Sequence, residues 1–301
     1  MMKHGRELWS LAIVGISMLV MLSGCGNTTT EYAQTSASAP ESTYLVEYVP
    51  GETAAAVGKT TFQIRVRTRS DGAAATELAA SISLMPMMYM TSGMNHSTPM
   101  DVVTESSTPG TYDCTAYYLM SSGAGSGYWE LQVTIGSETT SFYPAVAGSM
   151  GMTPKLKGQS DDLITKTTGT ETRTYYLFKD DMTATNSASL FISAQGNNKM
   201  TFSSVFSGST LTNEANIPRT IGTVVVEATT NPADDTSWEA GTHVTGGHWT
   251  VPINPSLASM ATGTVYVRLF VDGVQKSTDG NIVSSSTSTN GYATISVTEG
   301  M

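Results

Sequence analysis

Residues 84 to 100, "LMPMMYMTSGMNHSTPM", hold six methionines and a histidine. Thioether sulfur is a soft donor with no charge and no proton to lose, so it selects Cu(I) over Zn or Mg. Imidazole adds a borderline nitrogen donor. About two to four such donors complete a Cu(I) site. Thirteen methionines follow Cys25, and nine of them fall between Met85 and Met152. The same residues have a plainer use, because Met is a common gap-filler in cores.

A strand and two loops must position these donors. "LAASISLMPMMYM" (78–90) alternates as a strand, with Ile82 and Leu84 toward the core. Met88 and Met90 share that parity and read as core residues, unless Pro86 shifts the register. Met85 and Met87 share parity with Ser81 and Ser83 and are expected to face outward. Met94 and His96 follow Gly93 in a polar loop. Met120 opens the loop "MSSGAGSG" and comes near if sandwich topology gathers the loop ends. The candidate metal ligands are therefore Met85, Met87, Met94, His96 and Met120. Met150 and Met152 are further candidates.

Short strand-like runs recur about every ten residues, the mark of an all-β chain. The first half shows them at 43–49, 60–68, 78–90, 100–105, 111–119, 128–135 and 139–146. Phe62, Ile64 and Val66 alternate cleanly, as do Trp129, Leu131, Val133 and Ile135. Seven short alternating strands favour an immunoglobulin-like sandwich. The second half repeats the style at 173–179, 188–194, 200–206, 222–230, 248–254, 264–273 and 293–298. Tyr112 to Trp129 and Trp249 to Tyr266 have one spacing, which suggests an internal repeat. The expected organisation is two tandem immunoglobulin-like β-sandwiches, 43–147 and 172–301. Residues 148–171 form a linker that could hold a short helix or an added strand.

The first 24 residues read as a secretory signal: Lys3 and Arg6, an apolar run from Leu8 to Leu22, then small residues. The run is too short for a membrane span. Leu22-Ser23-Gly24-Cys25 resembles the bacterial lipobox, which implies cleavage before Cys25 and its acylation. Residues 25–42 are then a small, polar tether. The expected location is the cell envelope, lipid-anchored outside the cytoplasm. No Asp follows Cys25, which favours the outer membrane if the cell is Gram-negative. A formal net charge of −10 leaves nothing to neutralise phosphates, so nucleic acid is not an expected partner. With Cys25 lipidated, Cys114 has no disulfide partner. It shares parity with Tyr112, Ala116 and Tyr118 and reads as a buried, inert thiol, a copper ligand being the alternative.

The segment "LMPMM…MNHSTP…GTYDCTAYYLMSSGAGSGYWELQV" resembles the YtkA-like family of exported bacterial domains, related to FixH proteins. The matching pieces are Met85-Pro86, Met94-Asn95-His96, Pro99, Gly110-Thr111-Tyr112, Leu119-Met120 and Gly127-Tyr128-Trp129. The resemblance covers about 50 to 70 residues of the first half. The resemblance implies an immunoglobulin-like domain that handles copper or serves oxidase assembly. Two departures are visible: an extra run "MYMTSG" before the Met-x-His part, and a long loop "SSGAGSG" before the Trp strand.

In the second half, His243 and His248 lie near Asp234, Asp235 and Glu239. They could hold a divalent ion, or form an ordinary polar loop on which Trp238 and Trp249 pack or offer a carbohydrate contact. No phosphate loop, catalytic Ser/His/Asp set or dense carboxylate pair stands out, so an enzyme is not expected. Two classes remain: a lipid-anchored Cu(I)-binding module, and a structural lipoprotein whose tandem sandwiches contact another envelope protein. The first requires Met94, His96 and at least one of Met85, Met87 or Met120 to meet.

Overall fold

Alternation at period two places one face of each strand in a core, and the chain is all-β. The computed structural model describes residues 41–149, 153–184, 186–257 and 262–298. The proposed signal, Cys25, most of the tether, Met150 and Met152 lie outside the described residues. Among the described residues, no helix is long and apolar enough to cross a membrane.

Eight strands build the first half: β1 (Tyr44–Pro50), β2 (Gly58–Thr68), β3 (Ile82–Met90), β4 (Asn95–Ser97), β5 (Thr104–Glu105), β6 (Thr111–Tyr118), β7 (Gly127–Ile135) and β8 (Glu138–Phe142). They form two four-stranded sheets, ordered β1-β2-β6-β5 and β4-β3-β7-β8. Both sheets feed one core. Ile64 and Val66 of β2 and Tyr112 and Cys114 of β6 meet Met88 of β3 and Trp129, Leu131 and Val133 of β7. Asn95 and His96 of the "MNH" stretch, expected as loop, belong to the short strand β4, paired to β3, and Met94 precedes it. Pro86 does not disturb the register, which runs unbroken from Ile82 to Met90 against β7.

The second half also places two sheets around one core. A six-stranded sheet orders Thr242–Thr245, His248–Pro252, Ser187–Gln195, Thr174–Ala184 and Lys155–Lys157, with Phe202–Ser204 also on Ser187–Gln195. A five-stranded sheet orders Glu239–Ala240, Val224–Thr229, Thr262–Val271 and Val274–Gln275, with Ala293–Thr298 on Thr262–Val271. The spacing shared by Tyr112/Trp129 and Trp249/Tyr266 has a common geometry. In each pair the two residues sit in opposite sheets of one sandwich.

Residues 148–171 are more than a connection. Lys155–Lys157 extends the six-stranded sheet, and Leu163–Thr165 pairs with Thr170–Thr172. Asp162 explains why. Its carboxylate is fully buried and takes Arg173 Nε at 2.9 Å and the Tyr175 hydroxyl at 2.5 Å. Lys276 Nζ lies 3.6 Å away, and Arg219 3.7 Å. Arg173 also donates to the Gln195 carbonyl at 2.7 Å and to Asn213. Gly158 permits this approach, since a Cβ there would lie 2.6 Å from the Asp162 carboxylate. Burial pushes the Asp162 carboxyl up, but Arg173, the Tyr175 hydroxyl and Lys276 together hold it below the usual carboxylate range.

The two sandwiches touch through aromatic rings. Tyr117, on the outer face of β6, stacks on Phe191 with ring centroids 4.0 Å apart and planes 2° off parallel. Phe178 completes this small buried cluster. Offset aromatic pairs contribute about 0.5–1.5 kcal/mol beyond the area they bury.

Asp162→Asn strips the counter-charge from buried cations and is expected to cost about 3–5 kcal/mol. A lowered urea midpoint would read this. The Asp162 carboxyl is depressed in the folded state, so its contribution is complete above the unfolded value of about 3.9 and fades as pH falls through the folded value. The variant should therefore lose its stability difference from wild type in acid. A difference that persists undiminished in acid contradicts this account.

Candidate functional site

β3, β4 and β7 lie side by side, and their register decides which candidate donors meet. His96 on β4 is opposite Met88 on β3, and Met88 is opposite Trp129 on β7. Directly opposed residues point to the same face, so His96, Met88 and Trp129 share the core face. Gly127 lets β7 approach here. It has φ +125°, and a Cβ would overlap the Tyr89 carbonyl oxygen.

The His96 ring is half-buried, edge-on to Trp129 at 5.4 Å and 84°. Its Nδ1 lies 2.8 Å from the Ser97 carbonyl oxygen. A carbonyl only accepts, so Nδ1 carries the proton. In the neutral ring the lone pair then sits on Nε2. That nitrogen faces Met120 Sδ at 3.2 Å. Burial lowers the His96 pKa, the Ser97 carbonyl opposes this, and Lys199 lowers it further. The resting pair is thus two lone-pair donors facing each other, close enough to share one soft cation. Trp129 holds the pair in place, since its Nε1 donates to the Met120 carbonyl at 2.9 Å.

The other expected ligands are placed differently. Met94 is 61% exposed, and Met85 49%. Met85 pairs with Gln132, three residues along β3 from Met88. Odd spacing puts it on the opposite face, so the sheet separates it from His96. Met87 faces outward by parity, as expected, but is covered there and only 5% exposed. It is adjacent to Met88 in the strand and also points away from His96. Met88, expected as a core residue, is buried in the core and is the β3 methionine directly opposite His96; Met90 lies on the same face. Parity alone could have shown this, had Asn95–Ser97 been recognised as a strand.

His96 and Met120 open onto a cleft of about 390 Å³ between the sandwiches. Leu119 flanks them on one wall. Lys155, Tyr176, Lys199 and Phe202 of the second sandwich form the other. Local sequence reading had no signal for this wall. Among the described residues, no group of three or more His, Cys, Asp or Glu is placed to hold a metal ion. The donors at issue are thioethers and one imidazole.

The two histidines of the second half diverge. His243 is opposite Trp249, and its ring stacks on Phe206 at 5.0 Å. His248, one residue before Trp249, points to the other face and contacts Asp180 and Asp101. A shared divalent site does not form. Trp238 and Trp249 are 8% and 4% exposed, so neither offers a carbohydrate platform. Arg268 lies over the Trp238 ring at 4.3 Å, and Trp249 donates to the Val205 carbonyl at 2.9 Å. No family model matches the chain, and no curated protein does either.

Cys114 is buried among β2 and β6 residues of the first core, and burial pushes its thiol pKa up to about 12. Its nucleophilic thiolate is therefore scarce near neutral pH. A maleimide at neutral pH is expected to leave Cys114 unlabelled in folded protein and to modify it fully in denaturant. Peptide mass mapping checks this, and rapid labelling of the folded chain would contradict it.

Proposed function

We propose that this is a lipid-anchored envelope protein whose first sandwich, immunoglobulin-like and of YtkA-like type, binds Cu(I) for copper handling or delivery. The observation that carries this reading is the 3.2 Å approach of His96 Nε2 to Met120 Sδ, with the Ser97 carbonyl holding the proton on Nδ1. A neutral nitrogen lone pair beside a thioether is a poor site for Mg or Ca and a good one for a soft monovalent ion. Met88, on the same face and opposite His96, is the nearest additional thioether by register. Trp129 acts as a positioning residue for both His96 and Met120.

The sheet orders β1-β2-β6-β5 and β4-β3-β7-β8 support the immunoglobulin-like assignment. Lettered in chain order they read A-B-E-D and C′-C-F-G, the arrangement of that sandwich. The sequence resemblance through Met94-Asn95-His96, Leu119-Met120 and Gly127-Tyr128-Trp129 supports the copper assignment. Lipid anchoring rests on Leu22-Ser23-Gly24-Cys25 alone. In this reading Met94 and Met85 are not ligands: both are exposed, and the sheet separates Met85 from His96.

Anaerobic Cu(I) titration of the full chain in detergent, against a chromophoric chelator, tests the site. His96→Ala and Met120→Ala are each expected to weaken binding at least about tenfold, a loss of about 1.4 kcal/mol. Met94→Ala should bind as wild type. Wild-type affinity in His96→Ala would overturn the site, and a large loss in Met94→Ala would move it to the exposed loop.

A further inference from the structure

His248 stands between two carboxylates that belong to different sandwiches. Its Nδ1 is 2.9 Å from Asp180 Oδ2, on strand Thr174–Ala184 of its own sandwich. Its Nε2 is 2.7 Å from Asp101 Oδ2, which follows β4 in the first sandwich. Asp180 is also held from across the interface, by Lys59 Nζ of β2 at 2.7 Å and by the Tyr117 hydroxyl of β6 at 3.1 Å. The groups facing the imidazole are thus Asp101 and Asp180, the latter backed by Lys59 and Tyr117, with the Phe191 ring at 5.0 Å. All lie beside the Tyr117–Phe191 stack.

A carboxylate accepts and cannot donate. A neutral imidazole has one N–H and one lone pair, so it can serve only one of these partners. Its other nitrogen would turn a lone pair toward a carboxylate oxygen at less than 3 Å. Only the imidazolium, with two N–H groups, makes both bonds. We propose that His248 is a proton-operated latch between the sandwiches: protonated, it bonds to both, and on losing its proton it releases Asp101.

Asp101 is the end that lets go. Asp180 keeps Lys59 and Tyr117 when the imidazole is neutral. Asp101 has the Val102 N–H at 2.8 Å on its other oxygen and is the more exposed of the two side chains. Burial raises the Asp180 carboxyl, but Lys59 and His248 together hold it below the usual carboxylate range. It therefore stays an ionised acceptor facing the imidazole. Lys59 and Asp180 line a cavity that shares Val57, Ser149 and Thr153 with the His96 cleft. The latch stands on its own contacts and does not depend on what that cleft binds.

Single-molecule energy transfer tests the latch on the full chain in detergent. Dyes are attached at Glu52→Cys and Ser284→Cys, both exposed positions on different sandwiches. Cys25→Ser removes the competing thiol, and Cys114 is buried. From about pH 5.5 to about pH 8.5, a span across the histidine titration, one narrow population should broaden toward a different transfer efficiency. In Asp101→Asn the amide can offer either its oxygen or its NH₂, so it satisfies both forms of the ring. That variant should give the same narrow population at both pH values. A wild-type distribution unchanged by pH overturns the latch without any variant, and so does an Asp101→Asn protein that shifts as wild type does.

Discussion

A buried carboxylate organises the second sandwich. Asp162 is removed from water, and an ionised carboxylate in that setting must be matched by nearby cations and donors. Arg173, Lys276 and Arg219 supply charge, and the Tyr175 hydroxyl donates directly. These partners come from distant parts of the chain, so a single anion gathers the segment at 159–165, the strand Thr174–Ala184, the Arg219 region and the stretch after Thr262–Val271. Lys276 Nζ has no hydrogen-bond partner, which leaves its charge dependent on Asp162. Such a cluster adds specificity of arrangement more readily than raw stability.

That arrangement reaches the candidate site. Lys155–Lys157 pairs with Thr174–Ala184, the strand that carries the Asp162 partner Tyr175. The second sandwich is then held close to β4, and Lys199, Tyr176 and Phe202 close one side of the cleft at His96. Lys199 and burial both disfavour the imidazolium at His96. The result is a pair of contrasting histidines. His96 is kept neutral beside a carbonyl and a sulfur, suited to a soft cation. His248 sits between two carboxylates, where only the charged ring makes both bonds.

Much of the fold was legible before any tertiary information. Phe62/Ile64/Val66 and Trp129/Leu131/Val133/Ile135 alternate, and each set is buried on one face. Cys114 and Met88 were readable as core residues for the same reason. The candidate site was legible only in part. The sequence points to His96 and Met120, and equally to Met94, Met85 and Met87, because the methionines are one residue type in one region. Treating "MNH" as a loop hid the register that pairs His96 with Met88. Short strands such as Asn95–Ser97 carry too few residues for periodicity to reveal them.

The sequence by itself determined the class of structure and the inventory of chemistry. Alternation of apolar residues is a local property of a pleated chain, so an all-β architecture follows from it. The presence of thioethers and few histidines is likewise independent of folding. Tertiary structure decided which of these groups meet. Met120 reaches His96 from 24 residues away, and His248 reaches Asp101 from 147 residues away. Such meetings depend on sheet register, on the packing of two sheets, and on the placement of one sandwich against the other. Each is set by many weak contacts spread along the chain, and no local pattern records their sum.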